Sequence, residues 1–225
     1  MATAQRKAIL RDIDYPTGDG KPMAETEVHL WVMMDLIQTL SRHFAADPMV
    51  YVGGDLLLYY EQGDGHKHLA PDVFVVKGIP KRPPRKNYLM WREGKAPDLV
   101  IEVTSESTME NDRGHKLGLY RDVLRVPEYF QFDPTDDYLD PALQGYRLRG
   151  GVYRPIRSVG GRLPSTVLGL HLERQGASLR LYDPARGVWL PTPAEESARG
   201  RVVAAENAQL RREIEDLRRR ATGGG

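Results

Sequence analysis

Two acidic residues in strand-like apolar runs, followed by a lysine in a helix-like run, are the groups in this sequence best suited to chemistry. Asp72 opens the run DVFVV, and Glu102 lies inside the run LVIEV. An unpaired carboxylate is costly to bury, so packing alone does not explain these two positions. Lys116 follows at the end of the sequence DRGHK. Two converging carboxylates with a nearby lysine are the groups that a Mg²⁺-dependent phosphodiesterase needs.

The two acidic runs predict a shared site for one divalent cation. Neighbouring strands lie about 5 Å apart, so carboxylates of Asp72 and Glu102 can bind the same ion if their strands pair. Hard oxygen ligands suit Mg²⁺, or Mn²⁺ in its place. Such an ion stabilises charge on the scissile phosphate and lowers the pKa of an attacking water.

Asp98 competes with Glu102 for the role of metal ligand. It shares the strand and the face of Glu102, but it lies roughly 13 Å away along that strand. The two side chains can therefore hardly bind one ion. We expect Asp98 to cap the strand or to hold a nearby loop.

Lys116 lies in a helix predicted from about residue 109 to residue 124. On the inward face of that helix, its amine would orient the water or the phosphate and stabilise developing charge. The alternative is a solvated pair of Asp112 and Lys116 on the helix surface, which is worth only a few tenths of a kcal/mol. The sequence leaves both readings of Lys116 open.

A basic, proline-broken loop over residues 77–95 separates the two carboxylate-bearing runs. Because both flanking runs carry proposed ligands, we expect this loop to overhang the site and to contact DNA phosphates without reading sequence. The alternative is an ordinary solvated loop. The candidate DNA contacts are Lys81, Arg82, Arg85 and Lys86.

Composition narrows the function classes. The formal net charge of +1 means that contact with nucleic acid must come from a local patch. The absence of cysteine excludes disulfides, zinc–thiolate sites and cysteine nucleophiles. There is no signal-peptide core, and no window approaches the roughly 20 apolar residues of a membrane helix, so we expect a cytoplasmic protein without membrane contact. No phosphate-binding GxxxxGK[ST] loop is present, so we expect no nucleotide cofactor.

The order of predicted elements indicates an α/β layer fold. Residues 1–23 are predicted to form an extended arm. An amphipathic helix over 24–46, short strands, the helix bearing Lys116 and a strand ending at Asp133 form a core over 24–135. A β-rich extension over 136–190, including a hairpin around Arg149-Gly-Gly151, is predicted to pack on or extend the main sheet.

The C-terminal segment over 195–222 is predicted to be a separate helix with a seven-residue repeat. Apolar residues at such spacing form the seam of a coiled coil, and a polar residue among them can set the register. We expect a homodimer through this helix, which could present two active sites to the two strands of a duplex. The seam positions are Val203, Asn207, Leu210, Ile214, Leu217 and Ala221.

Several of these runs together resemble a known family. APDVFVV, KAPDLVIEVTSEST, DRGHKLGLY and VPEYFQFDP are similar to the Uma family of proposed restriction endonucleases, within the PD-(D/E)xK nuclease superfamily. The similarity covers roughly residues 25–135 well, and the β-rich remainder with the heptad tail resembles a subset of the family. It implies a restriction-endonuclease-like core, a mixed central sheet flanked by helices, in which Asp72 and Glu102 bind the metal.

The sequence departs from the parent motif at one position. Thr104 replaces the lysine that the motif places two residues after Glu102. The resemblance implies that Lys116 supplies this amine from the neighbouring helix. It also implies that Glu27, on the first helix, is a further candidate metal ligand.

We therefore expect a metal-dependent endonuclease that hydrolyses DNA phosphodiester bonds. A catalytically inactive, nuclease-like DNA-binding or scaffold protein is the main alternative, and Thr104 is the residue that favours it. A weaker alternative is an RNA nuclease or nucleotide phosphohydrolase with the same metal site, because a carboxylate pair does not by itself choose the polymer.

Overall fold

The computed structural model describes residues 15–18, 26–104 and 112–222. Most of the predicted arm over 1–23 lies outside these described residues. The helices are α1 (Glu27–His43), α2 (Met90–Glu93), α3 (two wide segments, Asp112–Lys116 and Leu119–Val123) and α4 (Pro193–Thr222). The strands are β1 (Val50–Gly53), β2 (Leu58–Tyr59), β3 (His68–Leu69), β4 (Val73–Lys77), β5 (Tyr88–Leu89), β6 (Leu99–Val103), β7 (Glu128–Phe132), β8 (Leu143–Arg149), β9 (Val152–Pro155), β10 (Leu163–Ser165), β11 (Leu170–Gln175), β12 (Ser178–Asp183) and β13 (Val188–Trp189).

Helix α1 confirms the amphipathic pattern predicted over 24–46. The side chain of Thr26 caps its first turn by accepting a hydrogen bond from the backbone N–H of His29. Leu36 and Leu40 are almost fully buried against the sheet. Burial of each such side chain contributes about 1.5–3 kcal/mol. The helix ends at His43, four residues before Asp47 and Pro48.

The central sheet has six strands in the order β1-β4-β6-β7-β8-β9. Strand β6 pairs with β4 antiparallel and with β7 parallel. All five residues of β6 are buried, as its continuous apolar run predicted for a strand covered on both faces. Ile101 packs in the core with α1, whereas Val100 packs on the other face with α3.

The register between β4 and β6 sets the position of the acidic residues. Val73 is opposite Ile101, and Val75 is opposite Leu99. Asp72 and Glu102 therefore lie at one end of this strand pair. The prediction that the two acidic runs form neighbouring strands is confirmed.

The short strands predicted after the first helix include β2, β3 and β4. Strands β3 and β4 are separate because Pro71, between them, has no N–H to continue a ladder. The loop over 77–95, in turn, contains β5 and α2. Strands β3, β2 and β5 form a small second sheet in which Tyr59 and Tyr88 are fully buried.

The β-rich extension has two parts. The predicted hairpin is confirmed as β8 and β9, which extend the central sheet through a turn at Gly150-Gly151 where both residues have positive φ. Strands β10 to β13 form a separate four-stranded sheet that shares a core with α1. Strand β11 starts at Leu170, directly after Gly169, which has positive φ and ends a tight turn.

The chain divides after Leu190 into two compact units, Met1–Leu190 and Pro191–Gly225. The second unit contains α4, and the apolar residues that its seven-residue repeat includes are exposed where the structure describes them. In the described part of the chain, no helix combines the length and the apolar composition that crossing a membrane requires.

Gly54 offers a test of how tightly the end of β4 is positioned. A Cβ at Gly54 would collide with the carbonyl oxygen of Asp72 and with the Ile37 side chain, whereas a Cβ at Gly65 would meet nothing. We predict that Gly54→Ala lowers the free energy of unfolding by about 1–3 kcal/mol, because the backbone at Asp72 must move. Gly65→Ala should change it by less than about 0.5 kcal/mol. Equal urea midpoints for the two variants would contradict this packing.

Candidate active site

The carboxylates of Asp72 and Glu102 meet at one edge of the central sheet. The backbone N–H of Asp72 donates to Glu102 Oε2 at 3.4 Å. Asp72 Oδ2 accepts a hydrogen bond from the backbone N–H of Val103 at 2.7 Å. Each acidic residue is thus tied to the other strand, and the two carboxylates lie side by side.

Glu102 is a fully buried carboxylate with nearby donors. The hydroxyl of Tyr120 donates to Oε1 at 2.5 Å, and Lys116 Nζ lies 3.4 Å from Oε2. Burial raises the pKa of Tyr120 well above its usual value, and the charge of Glu102 raises it further. Tyr120 therefore keeps its proton and acts as a hydrogen-bond donor to Glu102 rather than as a base.

Lys116 points inward from α3, where its side chain is 21% exposed. Lys116 and Tyr120 lie four residues apart, so they share a side of the helix. The turns of α3 are wide: the N–H of Leu124 bonds to the carbonyl of Leu119, five residues back. The ammonium group therefore lies beside Glu102, which favours the functional reading of Lys116; the Asp112 side chain lies outside the described residues.

His29 is a site residue that sequence reasoning missed. It is 2% exposed, and its Nε2 lies 3.2 Å from Asp72 Oδ1. A histidine on the buried face of α1, at helical spacing from Val32, Met33 and Leu36, was the available signal.

The structure does not bring Glu27 to the carboxylate pair. Glu27 is exposed, and its Oε1 accepts a hydrogen bond from Trp31 Nε1 at 3.2 Å. It lies two residues before His29, which corresponds to about 200° around an α-helix. The helix that presents His29 to Asp72 therefore turns Glu27 away from it.

Asp98 has the structural role predicted for it, at the other end of β6. Its Oδ2 accepts hydrogen bonds from the backbone N–H of Lys77 at 2.7 Å and from Lys95 Nζ at 2.8 Å. This carboxylate holds the ends of the connection between β4 and β6. It takes no part in the site around Glu102.

The pair of carboxylates has the donor chemistry of a Mg²⁺ or Mn²⁺ site. Across the described ranges, no group of three or more His, Cys, Asp or Glu side chains is arranged to hold a metal ion. Mg²⁺ needs fewer protein ligands, because it keeps several waters and binds through one or two carboxylates and substrate oxygens. Asp72 and Glu102 fit that requirement.

Comparison with known proteins identifies the family. A model of the Uma2 family, described as "Putative restriction endonuclease", matches residues 10–199. The chain belongs to the Uma2 family. The resemblance seen in the sequence is thereby confirmed, and it extends beyond residues 25–135.

Among the solved structures similar to this Uma2 protein is the crystal structure of a putative nuclease belonging to DUF820 from Anabaena variabilis. The two chains are 16% identical, with a TM-score of 0.47, over 70% of this chain and 85% of the other. No curated protein matches the sequence.

Lys81, a residue of the basic loop that was predicted to overhang the site, is held near the opposite end of α1. Lys81 Nζ donates to the carbonyl oxygens of Phe44 and Ala45, just after the C-terminal end of α1. His29, which marks the site, lies near the other end of α1. A rise of 1.5 Å per residue separates the two ends by about 20 Å.

Two of the four proposed DNA contacts have partners within the fold. Besides Lys81, Arg85 forms two hydrogen bonds of 2.7 Å to Glu93 and lies 4.2 Å from the centre of the Tyr51 ring. Arg82 and Lys86 are exposed. Because Lys81 and Arg85 hold the loop in place, fewer of its positive charges can contact a phosphate backbone.

A second basic surface was not predicted. Arg147, Arg149, Arg154 and Arg157 line a cleft of about 730 Å³ beside the hairpin of β8 and β9. Arg147 is directly opposite Arg154 in the register, an arrangement of like charges that is unfavourable by itself. Glu128 offsets part of it through an ion pair of 2.7 Å with Arg147. The alternating arginines of the predicted hairpin are the sequence pattern from which this cleft could have been predicted.

Proposed function

We propose that this Uma2 protein is a metal-dependent endonuclease that hydrolyses DNA phosphodiester bonds. The observation that carries the proposal is the convergence of Asp72 and Glu102 at one sheet edge with Lys116 beside them. Membership of the Uma2 family supports a nuclease function. The metal and the choice of DNA rest on the chemistry of the site.

Asp72 and Glu102 would hold one Mg²⁺ ion, or Mn²⁺ in its place. When bound, the ion supplies a water of lowered pKa and neutralises charge on the phosphate. The ligand oxygens are held by donors of the chain: the backbone N–H of Val103 donates to Asp72, and the hydroxyl of Tyr120 donates to Glu102. Such donors fix the direction of the carboxylates before an ion arrives.

Lys116 is the cation of the site. Its ammonium group offsets the buried charge of Glu102. An ammonium group is a donor that can also approach a phosphate oxygen or a water. A positive charge aimed at developing negative charge lowers the barrier to phosphoryl transfer. In this proposal, Lys116 takes the role that Thr104 cannot perform.

The inactive DNA-binding or scaffold protein remains the second candidate, because Thr104 occupies the motif position of a lysine. An RNA nuclease or a nucleotide phosphohydrolase is the third, since the same groups would act on those phosphoesters. The cleavage experiment below distinguishes both alternatives from the DNA endonuclease, because it compares several substrates and variants.

We predict that the wild-type protein nicks or linearises supercoiled plasmid in Mg²⁺ or Mn²⁺. Glu102→Gln should reduce cleavage to the level of the EDTA blank, because it removes a charged metal ligand. Asp98→Asn is the matched control, since Asp98 lies directly before the same strand, at the end away from the pair, and the variant should keep activity. Circular dichroism verifies that each variant is folded.

One outcome contradicts the assigned site, and two contradict the DNA nuclease itself. Equal loss of cleavage in Asp98→Asn and Glu102→Gln would remove the special role of Glu102. Inert wild-type protein that still binds DNA would favour the scaffold. Cleavage of RNA or of small phosphoesters but not of DNA would favour the third candidate.

We propose that exposed cations of the basic loop contact the DNA backbone. Replacing Arg82 and Lys86 by glutamine should lower the salt slope of DNA binding by about 1.8, the value for two phosphate contacts. Replacing Arg149 and Arg154 by glutamine makes the same charge change at the arginine cleft and should leave the slope unchanged. If only the Arg149 and Arg154 replacement lowers the slope, the contacts belong to the cleft. If neither double replacement changes the slope, the proposal is wrong.

We also propose a homodimer formed through α4. Leu210 and Ile214 are 55% and 49% exposed on the predicted seam of this helix. We predict that replacing both by lysine converts a dimer into a monomer in light scattering, because the charges would face each other across the seam. Lysines at Ala208 and Gln209, off the seam, add the same charge and should leave the mass unchanged. A monomeric wild-type protein would contradict the proposal.

A further inference from the structure

Gln131 and Thr104 are buried polar residues at the candidate active site whose donors are not used within the described part of the chain. Gln131 is 3% exposed and Thr104 is 2% exposed. The Gln131 side-chain nitrogen and the Thr104 hydroxyl have no hydrogen-bond partner there. A buried donor without a partner is costly, so its retention calls for an explanation.

Both side chains lie beside Glu102. Gln131 is the register partner of Glu102 across the parallel pair of β6 and β7, so the two side chains leave the same face of the sheet. Thr104 follows Glu102 by two residues, and its N–H bonds to the carbonyl of Phe132 at 2.7 Å, which keeps this segment extended. Thr104 therefore also lies on the face of Glu102.

Glu128, a buried carboxylate at the other end of β7, has its hydrogen-bonding groups satisfied within the fold. The Ser165 hydroxyl donates to Glu128 at 2.5 Å, and that of Thr166 donates to Glu128 at 2.7 Å. Burial raises the pKa of Glu128, but these bonds and the one from Arg147 outweigh it, so the pKa is lowered. The fold can thus satisfy a buried polar group on β7, and it does not do so at Gln131.

The chemistry of the two donors indicates which hydrogen-bond acceptor would satisfy them. A side-chain amide nitrogen only donates, and a threonine hydroxyl can donate. Neutral donors beside a carboxylate pair suit an oxygen that carries partial negative charge and approaches together with a cation. A non-bridging oxygen of a phosphodiester is such a group, and hydrogen bonds to it grow stronger as charge develops.

We propose that Gln131 and Thr104 form a phosphoryl-oxygen subsite that positions the scissile phosphate against Asp72, Glu102 and Lys116. This inference rests on the proposed nuclease function, which it extends from the metal ligands to the substrate. The subsite is complete only when substrate is bound. Its donors therefore weaken the free protein and act in the complex.

The test uses shape-conserving variants of the full chain and three readouts. Gln131→Met and Thr104→Val remove the donors, and Thr104→Ser keeps the hydroxyl. Each variant is measured for thermal unfolding, for binding of a short DNA duplex in Ca²⁺, and for plasmid cleavage in Mg²⁺. Ser165→Ala is the matched control, because it removes a buried hydroxyl that has a partner.

We expect Gln131→Met to melt no lower than wild type while kcat for cleavage falls about 10²-fold, the effect of losing one such donor. Thr104→Val should behave alike, and Thr104→Ser should restore cleavage. Ser165→Ala should melt lower and cleave normally. Gain or retention of stability together with loss of cleavage is the signature of a group kept for substrate.

Two results would overturn the subsite. The first is Gln131→Met that melts several degrees lower with normal cleavage, since its amide then has a structural partner. The second is normal cleavage and normal duplex binding in Gln131→Met, Thr104→Val and Thr104→Ser. If wild-type protein does not cleave at all, the nuclease proposal fails by itself, and duplex binding then tests the subsite. Weaker duplex binding by Gln131→Met with unchanged melting supports the subsite. Equal binding by wild type and Gln131→Met contradicts it.

Discussion

The antiparallel pairing of β4 with β6 decides where the groups of the candidate site lie. Because Val73 is opposite Ile101, Asp72 extends the ladder and its carboxylate reaches the N–H of Val103. A shift of the register by one residue would turn Glu102 to the other face of the sheet, into the core of α1. The burial of both faces of β6 makes such a shift very costly, so the core that stabilises the domain also fixes the distance between the two carboxylates.

The buried charge of Glu102 is the main electrostatic cost of this arrangement. A fully buried carboxylate is tolerated only when its charge and its lone pairs are compensated. Tyr120 and Lys116 do this from α3, whose wide turns bring both side chains to the same carboxylate. The raised pKa of Tyr120 keeps its proton in place, so the donor is retained over the neutral range. A metal ion would add to this compensation, and the site would then hold its ligands in their working directions.

The two ends of β6 show how one residue type serves different purposes. Asp98 is held by Lys77 and Lys95 and closes the connection between β4 and β6. Glu102, four residues later, faces Lys116 and the neighbouring strand. Basic residues divide in the same way: Arg85 is used by Glu93 within the fold, whereas Arg82 is exposed. Charge counted along the sequence therefore overstates the charge that a ligand can meet.

Local patterns were enough to predict α1, β6, β7 and the hairpin of β8 and β9, because periodicity and turn residues act over a few neighbours. They also identified Asp72, Glu102 and Lys116 as chemically unusual, since a charge in an apolar run is conspicuous in one dimension. The extent of the short strands was less predictable. Strand β2 pairs with β5 because Leu58 and Tyr88, which are far apart in the sequence, are buried in the same core.

The sequence by itself determined the family, the layer fold and the identity of the carboxylate pair. Only the tertiary structure decided that His29 contacts Asp72, that Glu27 turns away, that the basic loop does not overhang the site at Lys81, and that Gln131 lies beside Glu102. Each of these facts depends on strand register or helix rotation between residues that are far apart in the chain. Such relations are set by packing of the whole core, and no local pattern encodes them.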